Sequence, residues 1–177
     1  MSEFILFLIV GFLAQAVDGA LGMAYGAISS TVLLSFGVPP AQASASVHAA
    51  ELFTTAASGS AHLVHRNVDW QLVTSGLLGA GAPPRYVIGT VNASEFLVTI
   101  SVSVTFLASL VSGHWQATGI LTQHGWAIGG LIAGGLFAAP MAGWMVKAVP
   151  EKALLRAVGI LIVCLSLYQA AQLVALV

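Results

Sequence analysis

Long apolar runs, broken at a few places by polar residues, set the pattern of this chain. Residues 4–36 are apolar but interrupted by Gln15, Asp18, Gly19, Gly22 and Gly26. They are too many for one membrane-crossing helix and too few for two, because a span needs about 20 residues. Two half-helices joined at Asp18-Gly19 fit this length. Unwound backbone at membrane depth is tolerated only inside protein or beside a water-filled cavity. Gly37-Val38-Pro39-Pro40 predicts a turn, since proline stops one helix and opens the next. Residues 41–64 follow as a span. In it Ser44, His48, Glu51, Thr55, Ser58 and His62 recur at steps of three and four, which puts them on one helical face. At 1.5 Å per residue, Glu51 lies roughly 16 Å beyond Pro40, near the bilayer midplane.

The pattern then repeats at a constant offset of 44 residues. Pro39 matches Pro83, His48 matches Asn92, Glu51 matches Glu95 and Thr55 matches Thr99. Residues 85–112 are the second acid-bearing span, and the runs 122–146 and 153–176 are two more. Gly130, Gly134, Gly135, Ala138, Ala139 and Gly143 place small residues where helix backbones can approach closely in lipid. The first repeat is read as 1–72 and the second as 73–177. Each lacks what the other has: the first has a broken helix, the second has two further spans. Residues are therefore expected to be missing between about Trp70 and Val73.

Composition turns this pattern into a class. The chain is 58% hydrophobic and 6% charged over 177 residues, where a soluble domain is about a quarter charged. We read an all-α, polytopic integral membrane protein. Its formal net charge of −1, with no basic patch, argues against nucleic acid. The first segment lacks a basic flank and a clear cleavage site, so it is expected to be retained. Cys164 is the only cysteine, which excludes an internal disulfide and a cysteine metal motif. Its simplest role is a small apolar residue in a span. Basic residues favour the cytoplasmic side. Arg66 ends the first acid-bearing span, whereas Arg85 begins the second, on the side of Lys147, Lys152 and Arg156. The two repeats are therefore expected to be inverted, with their acid-bearing helices packed at the centre. Inverted repeats with broken helices are a common design of secondary transporters, which bind substrate near the midplane.

The candidate chemistry sits on the stripe and at the break. A carboxylate inside a span is costly and usually functional, so Glu51 and Glu95 are the candidate ion-coupling residues, at similar depth. The competing reading ties each acid to the amides of a neighbouring broken helix. Asp18 is read as the cap of the half-helix that follows it. Free N–H groups at such ends attract anions. Gly19, Gly22, Ser29, Ser30, His48, Thr55, Asn92 and Thr99 are the candidate substrate-binding residues, although hydroxyls in helices more often bond back to their own turn. His48 could hold an anion or pass a proton, or simply be satisfied by Glu51. No metal site or cofactor is expected.

Val17-Asp18-Gly19-Ala20-Leu21-Gly22-Met23-Ala24-Tyr25-Gly26, the stretch Val38 to Thr55, and Pro83-Pro84-Arg85-Tyr86-Val87-Ile88-Gly89-Thr90-Val91-Asn92-Ala93-Ser94-Glu95-Phe96 resemble the sulfite exporter family of bacterial permeases, the TauE/SafE type. The resemblance implies two inverted repeats and a multi-pass protein of the bacterial cytoplasmic (inner) membrane, in contact with lipid. It also implies export of small sulfur-containing anions, such as sulfite, sulfoacetate or similar organosulfonates, coupled to a proton or cation. It would place a second glycine-rich broken helix between Trp70 and Val73, which this sequence lacks. A homodimer is compatible with it. The sequence favours this non-enzymatic reading over a passive anion channel, and both over an intramembrane serine protease built from Ser58-Gly59-Ser60 and a histidine.

Overall fold

Proline and glycine set the helix ends in the computed structural model, which describes residues 2–22, 24–75, 83–112 and 120–175. Among these residues the chain forms seven helices: α1 Ser2–Leu21, α2 Tyr25–Ser35, α3 Pro40–Val64, α4 Trp70–Ser75, α5 Pro84–Val111, α6 Ile120–Ala148 and α7 Glu151–Ala175. Pro40 and Pro84 open α3 and α5, where a missing N–H is harmless. Pro140 lies inside α6.

The interruption after α1 falls later than the sequence suggests. Asp18 and Gly19 belong to the last turns of α1, and the helix stops at Leu21. The stop comes at Gly22, whose φ of 99° side chains rarely tolerate. Helix α4 opens at Trp70, where the second repeat was expected to begin within a few residues. It covers Trp70 to Val73, the place where missing residues were expected. The predicted start of the second copy runs on into 76–82, and the predicted loop Gly113-His114-Trp115-Gln116 also lies outside the described residues.

The most extensive helix pairing is α1 with α6, followed by α3 with α6 and with α5. Small residues make the first pairing possible. Gly11 faces the Leu131 carbonyl, Gly134 faces the Leu8 carbonyl, and Gly19 faces Ala142 so closely that no Cβ would fit. Away from these contacts, Ile5, Ile9 and Leu13 of α1 and Phe137 and Trp144 of α6 are exposed, as lipid-facing residues should be. Segments Glu3–Leu21, Arg85–Ser109 and Gly125–Ala148 are long and apolar enough to cross a membrane. Helix α3 has 25 residues, but its polar stripe lowers its hydropathy. That stripe is turned inward: Glu51, Thr55, Ser58 and His62 are all buried.

Helices α3 and α5 run antiparallel. His48 lies beside Phe106, Ser58 bonds Asn92, and Asn67, just past α3, sits against Gly89. Lys147 at the end of α6 donates to the carbonyl of His65. Arg66, Arg85 and Lys147 thus gather at one end of the bundle.

Candidate functional site

The break between α1 and α2 exposes backbone groups that must be satisfied. Asp18, from the last turns of α1, reaches across it. Its Oδ1 accepts hydrogen bonds from the backbone N–H of Ala24 at 2.7 Å and of Tyr25 at 3.0 Å, the first amides of α2. Gln15 stands 3.5 Å from the other oxygen, Oδ2. On the α1 side, the Gly19 carbonyl accepts a bond from His62 Nε2 at 3.1 Å. Asn67 Nδ2 lies 3.3 Å from His62 Nδ1 and donates to the Gly143 carbonyl at 3.0 Å. Both ring nitrogens of His62 are thereby engaged, with the proton on Nε2.

Glu51 faces the first turn of α2. A Cβ on Gly26 would stand 2.6 Å from Glu51 Oε1, so glycine lets the carboxylate lie directly against α2. The other oxygen, Oε2, is 2.8 Å from Nδ1 of His48, one turn earlier on α3. Glu51 is 5% exposed, whereas the His48 side chain is 32% exposed. The difference is chemical: one end of the pair is dry and the other reaches an opening. That opening is a cavity of about 330 Å³ between α2 and α3, lined by Gly26, Ser30, Pro40, Ser44, Val47 and His48. The Ser30 hydroxyl donates back to the Gly26 carbonyl at 2.5 Å, which turns its oxygen toward other partners. Ser29 is fully buried, and its Oγ has no hydrogen-bond partner.

Glu95 is placed differently. Its Oε2 is buried without a hydrogen-bond partner, yet it lies within electrostatic reach of Asp18 and Glu51. The two acids are not level. The Ser58–Asn92 and His48–Phe106 pairs set the register of α3 against α5. In that register Glu51 and Glu95 are offset by roughly 8 Å along the helix axis. Asn92, at the position matching His48, ignores its own acid: Nδ2 donates to the Ile88 carbonyl at 3.0 Å and Oδ1 accepts from Ser58 at 2.8 Å. Thr55 donates to the Glu51 carbonyl at 2.5 Å, and Thr99 is buried. A second cavity, about 340 Å³, lies between α3 and α5 and includes Thr55, Gly59, Ser60, Trp70, Ser94 and Leu97.

Of the candidate residues, Gly26's neighbours Ser30 and His48 meet at one cavity, with Glu51 behind them. Gly19 packs against α6, Gly22 makes the break, and Asn92 ties two helices together. No Ser–His pair forms at Ser58 or Ser60 among the described residues, since Ser58 donates to Asn92 and Ser60 to Ala56. Sequence reasoning missed Tyr25 and Asn67. Tyr25 is fully buried, with its hydroxyl donating to the Leu131 carbonyl at 3.0 Å. Its signal was its place directly after the break, where a side chain must enter the protein. Asn67 followed an Arg in a polar stretch and gave no such signal.

Residues 7–82 match the family model described as sulfite exporter TauE/SafE. The chain is 31% identical to the protein of Bacillus subtilis (strain 168) named probable membrane transporter protein YtnM, over 83% of this chain and 76% of that one. That alignment spans 235 residues, more than the 177 of this chain, so the relative holds residues with no counterpart here. No solved structure matches.

Proposed function

The chain belongs to the TauE/SafE sulfite exporter family of membrane transporters, and from that premise we propose that it exports small sulfur-containing anions across the bacterial cytoplasmic membrane. In this reading sulfite, sulfoacetate or a similar organosulfonate enters between α2 and α3. Two inverted repeats alternate its access to the two sides, and a proton or cation gradient drives the cycle. Ser30 and His48, which line that cavity, form the anion-binding side, with Ser29, Thr55, Asn92 and Thr99 behind it. Glu51 and Glu95 carry the coupling ion.

The observation that carries this reading is the meeting of a broken helix, a buried carboxylate and a cavity at Gly26, Glu51 and His48. A buried acid in a span marks an ion or substrate path, and helix breaks at depth mark transporter sites. The antiparallel α3 and α5, with basic residues gathered at one end, support the inverted arrangement.

The test is flux in proteoliposomes. Protein reconstituted with sulfite or sulfoacetate inside should release it faster under an imposed proton gradient, and move it against its own gradient. Movement that only ever runs down the anion gradient would make the protein a passive channel. No movement of either anion would remove the reading.

A further inference from the structure

We propose that His48 and Glu51 act as a single proton site whose occupancy switches the cavity between refusing and accepting an anion; this rests on the transport reading and names how its anion site is regulated. The argument is one of donor counting. His48 Nδ1 and Glu51 Oε2 are 2.8 Å apart, so one proton must lie between them. When that is the pair's only proton, Nδ1 donates to a charged carboxylate and Nε2 carries a bare lone pair. His48 lines the cavity, and with Nδ1 committed, Nε2 is the nitrogen left for a ligand there. A lone pair repels an anion.

One added proton reverses this wherever it settles. If it binds the imidazole, Nε2 becomes an N–H of a cation beside the carboxylate. If it binds the carboxyl group, that group donates to Nδ1 and the neutral ring shifts to its Nε2–H tautomer. Both arrangements place a donor in the cavity and remove the net negative charge of the pair behind it. Anion and proton therefore bind together, and the proton leaves to solvent when the anion does.

Other titratable groups face the pair from the helices around it: Asp18 of α1, Tyr25 of α2 and Glu95 of α5 lie within electrostatic reach of Glu51. From α6 the nearest assigned cation, Lys147, is held at the distant end by His65. Phe106 of α5, with its ring 5.9 Å from the imidazole, limits how far His48 can turn.

The test is calorimetric titration of the full chain in nanodiscs with sulfoacetate, in buffers of different ionisation enthalpy. Wild type should take up about one proton per anion, and affinity should fall as pH rises. In Glu51→Gln the amide donates to Nδ1 and fixes the Nε2–H tautomer. This variant should still bind sulfoacetate, with no proton uptake and a flat pH dependence. His48→Gln offers a permanent amide donor and should be equally flat; it serves if Glu51→Gln does not run as a single species on gel filtration. Proton uptake near one in both variants, or none in wild type that binds, overturns the switch and leaves the transporter standing. Wild type that neither binds nor moves sulfoacetate or sulfite overturns both.

Discussion

Glu51 and Glu95 hold matching places in two copies of one motif, and their surroundings diverge. Glu51 is sandwiched between His48 and the first turn of α2, beside a cavity. Glu95 has an oxygen with no partner, and the residue matching His48 has turned away to bind Ser58. The first copy brings its acid up to a complete half-helix of 11 residues. In the second, the matching place is taken by Trp70–Ser75, with 6 residues described, and Trp70 stands where the offset would put Gly26. The same acid at the same spacing is therefore buried against a histidine in one copy, and in the other is only half-buried and lacks that partner.

Five substitutions, two of them with a companion variant, probe that contrast. The largest effect is expected from Glu51→Gln, which should lower proton-driven flux by roughly 100-fold, the scale of losing a proton-transfer group. Glu95→Gln should lower it about tenfold or less, a free-energy change near 1.4 kcal/mol. Equal losses in proteoliposome flux would make the two acids a symmetric pair and end the contrast. Next, Gly26→Ala puts a Cβ against Glu51 Oε1 and should cost about 1–3 kcal/mol through crowding, while raising the concentration of sulfite needed for half-maximal flux. Asp18→Ala leaves the amides of Ala24 and Tyr25 unpaired in a buried place. It should cost about 2 kcal/mol in thermal unfolding in detergent, and Asp18→Asn, which keeps an acceptor, should cost less. The smallest effect belongs to Ser58→Ala, at about 1 kcal/mol. A double-mutant cycle with Asn92→Ala should assign most of that to their shared bond.

Much of this arrangement was legible because it follows from periodicity. The stripe from Ser44 to His62 places its residues on one face whatever they touch, and the prolines at 40 and 84 allow little choice of helix start. What a residue bonds to depends on the neighbouring helix, which periodicity does not describe. Asp18 looked like the point of the break because Asp-Gly breaks helices locally. In the structure it stays helical and reaches forward, since the amides of α2 offer a carboxylate more than a local turn does. Asn67 read as loop because its neighbours are polar, yet it is buried between His62 and Gly143. The level of the two acids was misjudged for a similar reason. Equal distance from the prolines sets equal depth only if the helices are in symmetric register, and the contacts at Ser58 and Gly59 shift that register.

The bond from His62 to the Gly19 carbonyl has a mechanical consequence. Cutting a helix at Gly22 releases carbonyls that would otherwise find amides in the next turn, and one of these is capped from α3. Asp18 caps the other side of the cut from α1 itself. The kink is thus clamped by two different bodies, and sliding α3 past α1 must let go of the Gly19 oxygen first. His62 therefore ties the end of α1 to α3 while Gly19 holds the same turn against Ala142 of α6, so the broken end is pinned from two sides and the Gly19 oxygen stays paired only while all three helices keep this register.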